Sequence, residues 1–243
     1  MRKISVSSWT ANEEEYADGR AALMKRLDLA AYVDHPFVLC NRQKVGAMLF
    51  RIEMFKRVLG VKGSIVECGV HKGSSLMLYL HLSSVLEPYA VNRRIIGFDT
   101  FEGFASLSEK DSPRLAESDF SDTSFEVLAE MGRLSDLNRP LGHMSKLDIV
   151  KGDATEAIPA YVRDHPELII AMLYLDFDIY EPTKVALDHL LPLVPKGGLV
   201  VIDEVNSAKW VGETMAVKER LRLNEIRLQK LPFEPMASFF EVG

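Results

Sequence analysis

The spacing of apolar residues changes near position 64. Before it, apolar positions recur every three or four residues. "EEEYADGRAALMKRLDL" and "NRQKVGAMLFRIEMFKRVL" each carry such a stripe, and Gly60 supplies a stop. This predicts an N-terminal helical extension over residues 1–60. From Ser64 onward, short apolar runs alternate with helical patterns. "SIVECG", "RRIIGFD", "LDIVKGD", "PELIIAMLYLD" and "LVVIDE" read as strands. "GSSLMLYLHLSSVL", "EPTKVALDHLLPLV" and "GETMAVKERL" read as helices, the first with serines placed to cap it. "IRLQKL" and "SFFEVG" close the chain as two further strands, a hairpin joined through "PFEP".

Strands that are apolar throughout cannot have a wet face, so helices must cover both sides of a parallel sheet. The predicted fold is α/β: a doubly wound, mostly parallel, seven-stranded, Rossmann-like sheet over residues 61–243. Such sheets bind ligands beyond the carboxyl ends of their strands, where strand order reverses. Four of the strands carry an acid there: Glu67, Asp99, Asp176 and Asp203. The strand "LDIVKGD" is followed by Asp153.

One connection breaks the rhythm. The stretch 102–145 is long, charged and contains "SDFSDTSF". Connections of that length are usually functional or disordered, so a lid over the ligand edge stands beside a merely solvated excursion. Composition narrows the partners. The chain has 243 residues and a formal net charge of -6, which disfavours nucleic acid. No apolar run approaches a membrane span, and the first twenty residues hold no apolar signal core. Cys40 and Cys68 form no metal or disulfide pattern, which suits a reducing cytoplasm.

The chemistry lies in the loops. "VECGVHKGSS" follows the first strand and opens a helix, with Gly69 and Gly73 allowing a tight turn and free N–H donors beyond it. It lacks the dinucleotide G-x-G-x-x-G spacing. Glu67 would repel a pyrophosphate but suits an ammonium, which favours S-adenosylmethionine over NAD. Asp99 is placed for ribose hydroxyls and Asp153 for an adenine amino group. Asp176 and the pair Asp203-Glu204 are hard oxygen donors suited to Mg²⁺. Asp178 could take a proton beside such an ion, or simply cap the helix at "EPT". His71 reads as a solvent-facing loop residue, and His143, at the end of the insertion, could reach a substrate or merely sit in solvent.

Together "VECGVHKGSS", "FDTFEGF", "LDFDIYEPT…LDHLLPLVPKGGLVVIDE" and "WVGETMAVKERL" resemble the macrocin O-methyltransferase family, from about Asn41 to Leu221. The resemblance implies a class I methyltransferase, dependent on S-adenosylmethionine and a divalent metal, that methylates sugar hydroxyls in bacterial natural products. It places Glu67, Gly69, Gly73 and Ser74 around the methionine part of the cofactor. Asp99 and Phe101 fall at the ribose and adenine, Asp153 and Ala154 on the adenine side, and Asp176 at the cofactor's edge. Asp176, Asp203 and Glu204 become metal ligands and Asp178 the general base. Glu204 stands where the family usually has Asp, and Phe177 where it usually has Gly. A sugar-containing acceptor and a homodimer are the implied partners. A catechol-type acceptor and a non-catalytic, cofactor-binding subunit are the alternatives.

Overall fold

The computed structural model describes residues 11–117 and 120–243. The helical reading of residues 1–10 and positions 118–119 of the insertion lie outside the described residues. The chain forms two compact units that divide between Val45 and Gly46. The first contains α1 (Ala11–Met24) and α2 (Pro36–Leu39). Within it the Arg20 guanidinium donates to the Leu39 carbonyl at 2.6 Å.

α3 (Arg42–Arg57) straddles that division. Here the structure departs from a boundary at residue 60. Phe50, Met54, Phe55 and Val58 are fully or almost fully buried and join the core of the second unit. Their helical spacing packs them against the sheet.

The sheet contains β1 (Ser64–Cys68), β2 (Ile95–Asp99), β3 (Leu147–Lys151), β4 (Ile170–Leu175), β5 (Leu199–Ile202), β6 (Gln229–Leu231) and β7 (Glu234–Glu241). Its order is β3-β2-β1-β4-β5-β7-β6, with the first five strands parallel and β7 antiparallel to β5 and β6. Strand order reverses between β1 and β4. Helices α4 (Ser74–Leu86), α5 (Phe125–Leu137), α6 (Ala154–Asp164), α7 (Tyr180–His189) and α8 (Val211–Arg220) complete the unit. The expected hairpin is present, but its turn is only Pro232-Phe233, because Leu231 already pairs with Glu234. Proline at 235 is tolerated near the start of a strand that continues to Glu241.

Alternation along the strands explains the two cores. Leu173 and Leu175 of β4 face one apolar cluster with Val66, Cys68 and Val200. Met172 and Tyr174 face another with Ile65, Phe50 and Phe239. Both faces are therefore dry, as the continuous apolar runs require. No described helix is long and apolar enough to cross a membrane.

Candidate active site at the carboxyl edge of the sheet

The site begins where the strands stop. Asp176 N–H donates to the Cys68 carbonyl at 2.8 Å, and Asp203 N–H donates to Leu175 at 3.0 Å. Sheet pairing thus continues one residue past β4 and β5 and sets the two acids side by side. Gly69 belongs to the same row, its N–H bonded to Phe98 at 2.9 Å. It has φ +92, and a Cβ there would lie 1.9 Å from the Asp176 carbonyl oxygen. Only glycine permits this approach. Gly73 caps α4 at φ +77 and leaves room for Leu128 of α5. Ser74 opens α4 just beyond it.

Asp99 holds the glycine loop. One carboxylate oxygen accepts the N–H groups of Val70 (2.8 Å) and His71 (2.7 Å), and the other accepts Phe101 N–H (2.6 Å). A carboxylate has about four acceptor positions, so a vacant one remains beside the loop. Phe101 is buried and meets Phe125 of α5 edge-on at 5.5 Å. Asp153 caps α6 through Thr155 N–H and Oγ1, and Ala154 is buried behind it.

The acids form a cluster with excess negative charge. Glu67 is fully buried, and neither of its oxygens has a partner of ordinary hydrogen-bond geometry. Burial lifts its pKa to about 7, against lowering by the Ser75 hydroxyl and Arg51. Asp176 keeps 27% of its side chain exposed, yet desolvation, then Asp203 and Asp178, raises its pKa well above the carboxylate range. Asp178 and Glu204 share a hydrogen bond. Burial leaves Asp178 at about 7, while burial and the Asp178 charge push Glu204 to about 12. Asp178 also has φ +66, so its side chain does not follow the alternation of β4.

Three participants were not singled out by the sequence pattern. Arg51 of α3 approaches Asp176 at 3.8 Å and Asp203 at 3.7 Å. Its guanidinium lies 4.9 Å from the centre of the Tyr174 ring, and the Tyr174 hydroxyl donates to Asp203 at 2.5 Å. Glu213 of α8 is buried; one oxygen accepts Glu204 N–H at 3.1 Å and the other has no partner. Burial, then Asp178 and Asp203, raises its pKa strongly. These residues offer no local signal: Arg51 is one of several basic positions on its helix, and Glu213 reads as a solvated acid in the first turn of α8.

The expected metal ligands are only partly brought together. Asp176 and Asp203 converge on Arg51, whereas the Glu204 carboxyl turns to Asp178. Among the described residues no group of three His, Cys, Asp or Glu side chains forms a cation cluster. The chemistry of the set nevertheless suits a hard cation. Glu204 Oε2 and Glu213 Oε1 are buried without partners, and the surrounding charge repels itself.

The described residues of the insertion pack beside this edge. Asp111 accepts Tyr180 N–H at 2.8 Å, and Lys110 donates to the Tyr180 hydroxyl (2.8 Å) and to Glu219 (2.6 Å). Leu115 joins Ile179 and Trp210 in a small apolar cluster with Phe104 and Phe120 packed against it. Asp122 meets both His71 (3.0 Å) and Lys72 (2.7 Å) of the glycine loop. His71 thus has an insertion partner despite its exposed setting. His143 is exposed.

A model of the macrocin-O-methyltransferase (TylF) family matches residues 47–229. Mycinamicin III 3''-O-methyltransferase of Micromonospora griseorubida is 27% identical over 150 residues, which cover 60% of this chain and 56% of that protein. A tetracenomycin-C rhamnosyl 4'-O-methyltransferase of Streptomyces olivaceus is 28% identical over 151 residues, 60% of this chain and 54% of that protein. The chain thus matches a little over half the length of these two relatives. The crystal structure of the calicheamicin methyltransferase CalS11 is 30% identical and covers 97% of this chain and 94% of its own, with a TM-score of 0.89. An apo structure of CalS11, described as a TDP-rhamnose 3'-O-methyltransferase, is 29% identical with a TM-score of 0.81, covering 97% of this chain and 96% of its own. The O-methyltransferase NovP shares the fold at 20% identity and a TM-score of 0.65, over 82% of this chain and 80% of its own.

Proposed function

The chain belongs to the macrocin O-methyltransferase family, and from that premise we propose that it transfers a methyl group from S-adenosylmethionine to a sugar hydroxyl. The acceptor is a nucleotide-sugar or a glycosylated natural product of bacterial secondary metabolism, and the reaction belongs in the cytoplasm. The observation that carries this reading is the row Asp99, Gly69, Asp176, Asp203. It places a glycine loop with an unpartnered buried carboxylate, Glu67, directly beside a polar cluster at the point of strand reversal.

Glu67 pairs with the cofactor's ammonium, which supplies the counterion that this carboxylate lacks. Gly69 and Gly73 let the loop backbone approach the methionine part, with Ser74 at the start of α4. The vacant acceptor position of Asp99 faces the ribose, Phe101 lies at the ribose and adenine, and Asp153 with Ala154 borders the adenine. Asp178 is the base. Its carboxylate takes the hydroxyl proton as the sugar oxygen forms a bond to the methyl carbon. The carbon–sulfur bond breaks with its electron pair on sulfur, leaving a neutral thioether. Burial has brought Asp178 to about 7, close to the working range of a general base. Asp176, Asp203 and Glu204 would hold a divalent ion, which when bound would orient vicinal hydroxyls and lower the pKa of one. The insertion 102–145 forms the acceptor-side wall, and Phe177, between the two acids, shapes it.

The test is a product assay. The enzyme with S-adenosylmethionine is offered nucleotide-sugars, glycosylated aglycones and catechols, with mass spectrometry of both products. A methylated sugar with stoichiometric S-adenosylhomocysteine is expected, and excess EDTA should abolish it until Mg²⁺ is restored. Turnover of catechols alone would favour the catechol reading. Cofactor binding without turnover of any acceptor would favour a non-catalytic subunit. Full activity in EDTA would remove the metal.

A further inference from the structure

The Arg51 guanidinium is a cation already lodged between the two acids that the family reading gives to a metal. Its Nη2 lies 3.8 Å from Asp176 Oδ2 and 3.7 Å from Asp203 Oδ1. These distances exceed the 2.7–2.9 Å of charge-assisted hydrogen bonds by roughly an ångström. Toward the two acids the attraction is therefore one of charge and not of directed bonding. Among the described residues its Nε is buried without a partner, and Nη1 reaches only the Ala47 carbonyl of its own helix, at 3.3 Å. The guanidinium is supported from below by the Tyr174 ring, and Tyr174 in turn bonds to Asp203.

We propose that Arg51 is an internal competitor of the divalent ion: it keeps Asp176 and Asp203 together when no metal is bound, and it must yield for the metal to enter. The inference rests on the metal reading of the site. A guanidinium and a divalent ion cannot share the same two carboxylates without strong repulsion, because unlike charges are drawn to one point and like charges with them. The loose contacts of Arg51 suit a group that moves: among the described residues a single hydrogen bond, to its own helix turn, ties the guanidinium itself. Metal affinity is then set partly by α3, a helix that precedes the strand-and-loop machinery in the chain.

Mn²⁺ binding to the full chain, followed by electron paramagnetic resonance of the free ion, reads this directly and needs no turnover. Wild type, Arg51→Met, Arg51→Lys and Asp203→Asn are compared, with circular dichroism melts to confirm folding. Removal of a unit charge a few ångströms away should tighten binding about tenfold or more in Arg51→Met. Arg51→Lys, which retains the charge, should stay near wild type and covers the case in which the methionine variant does not fold. Asp203→Asn should lose binding. Unchanged or weaker binding in Arg51→Met, with Asp203→Asn still defective, would overturn the competitor role and leave the metal site standing. Binding by Arg51→Lys as tight as expected for the methionine variant would overturn it too. No Mn²⁺ binding by wild type or Arg51→Met, or binding indifferent to Asp203→Asn, would overturn the metal reading together with this inference.

Discussion

The two ends of the parallel strands each hold a largely enclosed arginine beside acid side chains, and they treat it in opposite ways. At the amino end, Arg93 donates to Glu87 at 2.9 Å and to the carbonyls of Gly63 (3.0 Å), Val58 (3.1 Å) and Val61 (2.9 Å). Ser83 fills the remaining side of Glu87 at 2.7 Å. Nearby, Lys146 donates to the Ala90 carbonyl at 2.8 Å. At the carboxyl end, Arg51 stands off from its acids, its Nε is idle, and Glu67, Glu204 and Glu213 keep orphaned oxygens. The satisfied cluster ties α3, β1 and β2 together at their base. The frustrated one stores binding capacity, because a group that lacks a partner in the folded chain gains most from a ligand.

The largest break in this contrast should come from Asp178→Asn. Loss of the base predicts a fall in kcat of about 10²–10⁴-fold with cofactor affinity retained, checked by steady-state kinetics and calorimetry. Near wild-type turnover would remove Asp178 from the chemistry. Next is Arg93→Met, which strands Glu87 and several carbonyls. Breaking a buried pair costs about 3–5 kcal/mol, so urea melts should show a large loss of stability. An equal loss in Arg51→Met would mean that the two ends do not differ as described.

The pH dependence sharpens the comparison further. Asp178 acts when deprotonated, and its pKa stands at about 7. The rate should fall about tenfold per pH unit below that value and level off above it. Stability runs the other way. Glu67 rises from an ordinary 4.5 to about 7, so its neutral form is favoured by folding. That stability is fully present below 4.5 and is lost as pH climbs through 7. For the fully buried Glu67 the loss is on the order of 3 kcal/mol. Melting temperature should therefore decline between pH 4.5 and 7. In Glu67→Gln the decline should be shallower, with stability at pH 8 equal to wild type or higher. A Glu67→Gln protein that melts far below wild type at pH 8 would show that the carboxylate is satisfied after all.

Much of this was legible in the sequence. Strand-end acids such as Asp99, Asp176 and Asp203 announce themselves because charge after a fully apolar run has few other uses. The final hairpin was legible too, through its Pro and Phe turn, though Gln229 rather than Ile226 starts the strand. Arg51 was not legible, because its meaning depends on a contact with residues more than a hundred positions away. The pairing of Glu204 with Asp178 was hidden for a different reason. Spacing of i, i+2 implies a shared face only in extended backbone, and Asp178 has turned to positive φ. That α3 packs on the sheet was hidden as well, because an amphipathic stripe says that a helix packs, not upon what.

The Asp99 clasp carries a consequence for watching the enzyme at rest. Three backbone amides, those of Val70, His71 and Phe101, depend on one carboxylate and on no strand or helix ladder. In deuterium exchange they should behave as slow protons within an irregular loop. A nucleoside that drew Asp99 toward its ribose would loosen all three at once, and a rigidifying ligand would slow them further. A peptide spanning residues 69–101 in a mass spectrum would thus serve as a clock for cofactor arrival, independent of any methyl acceptor.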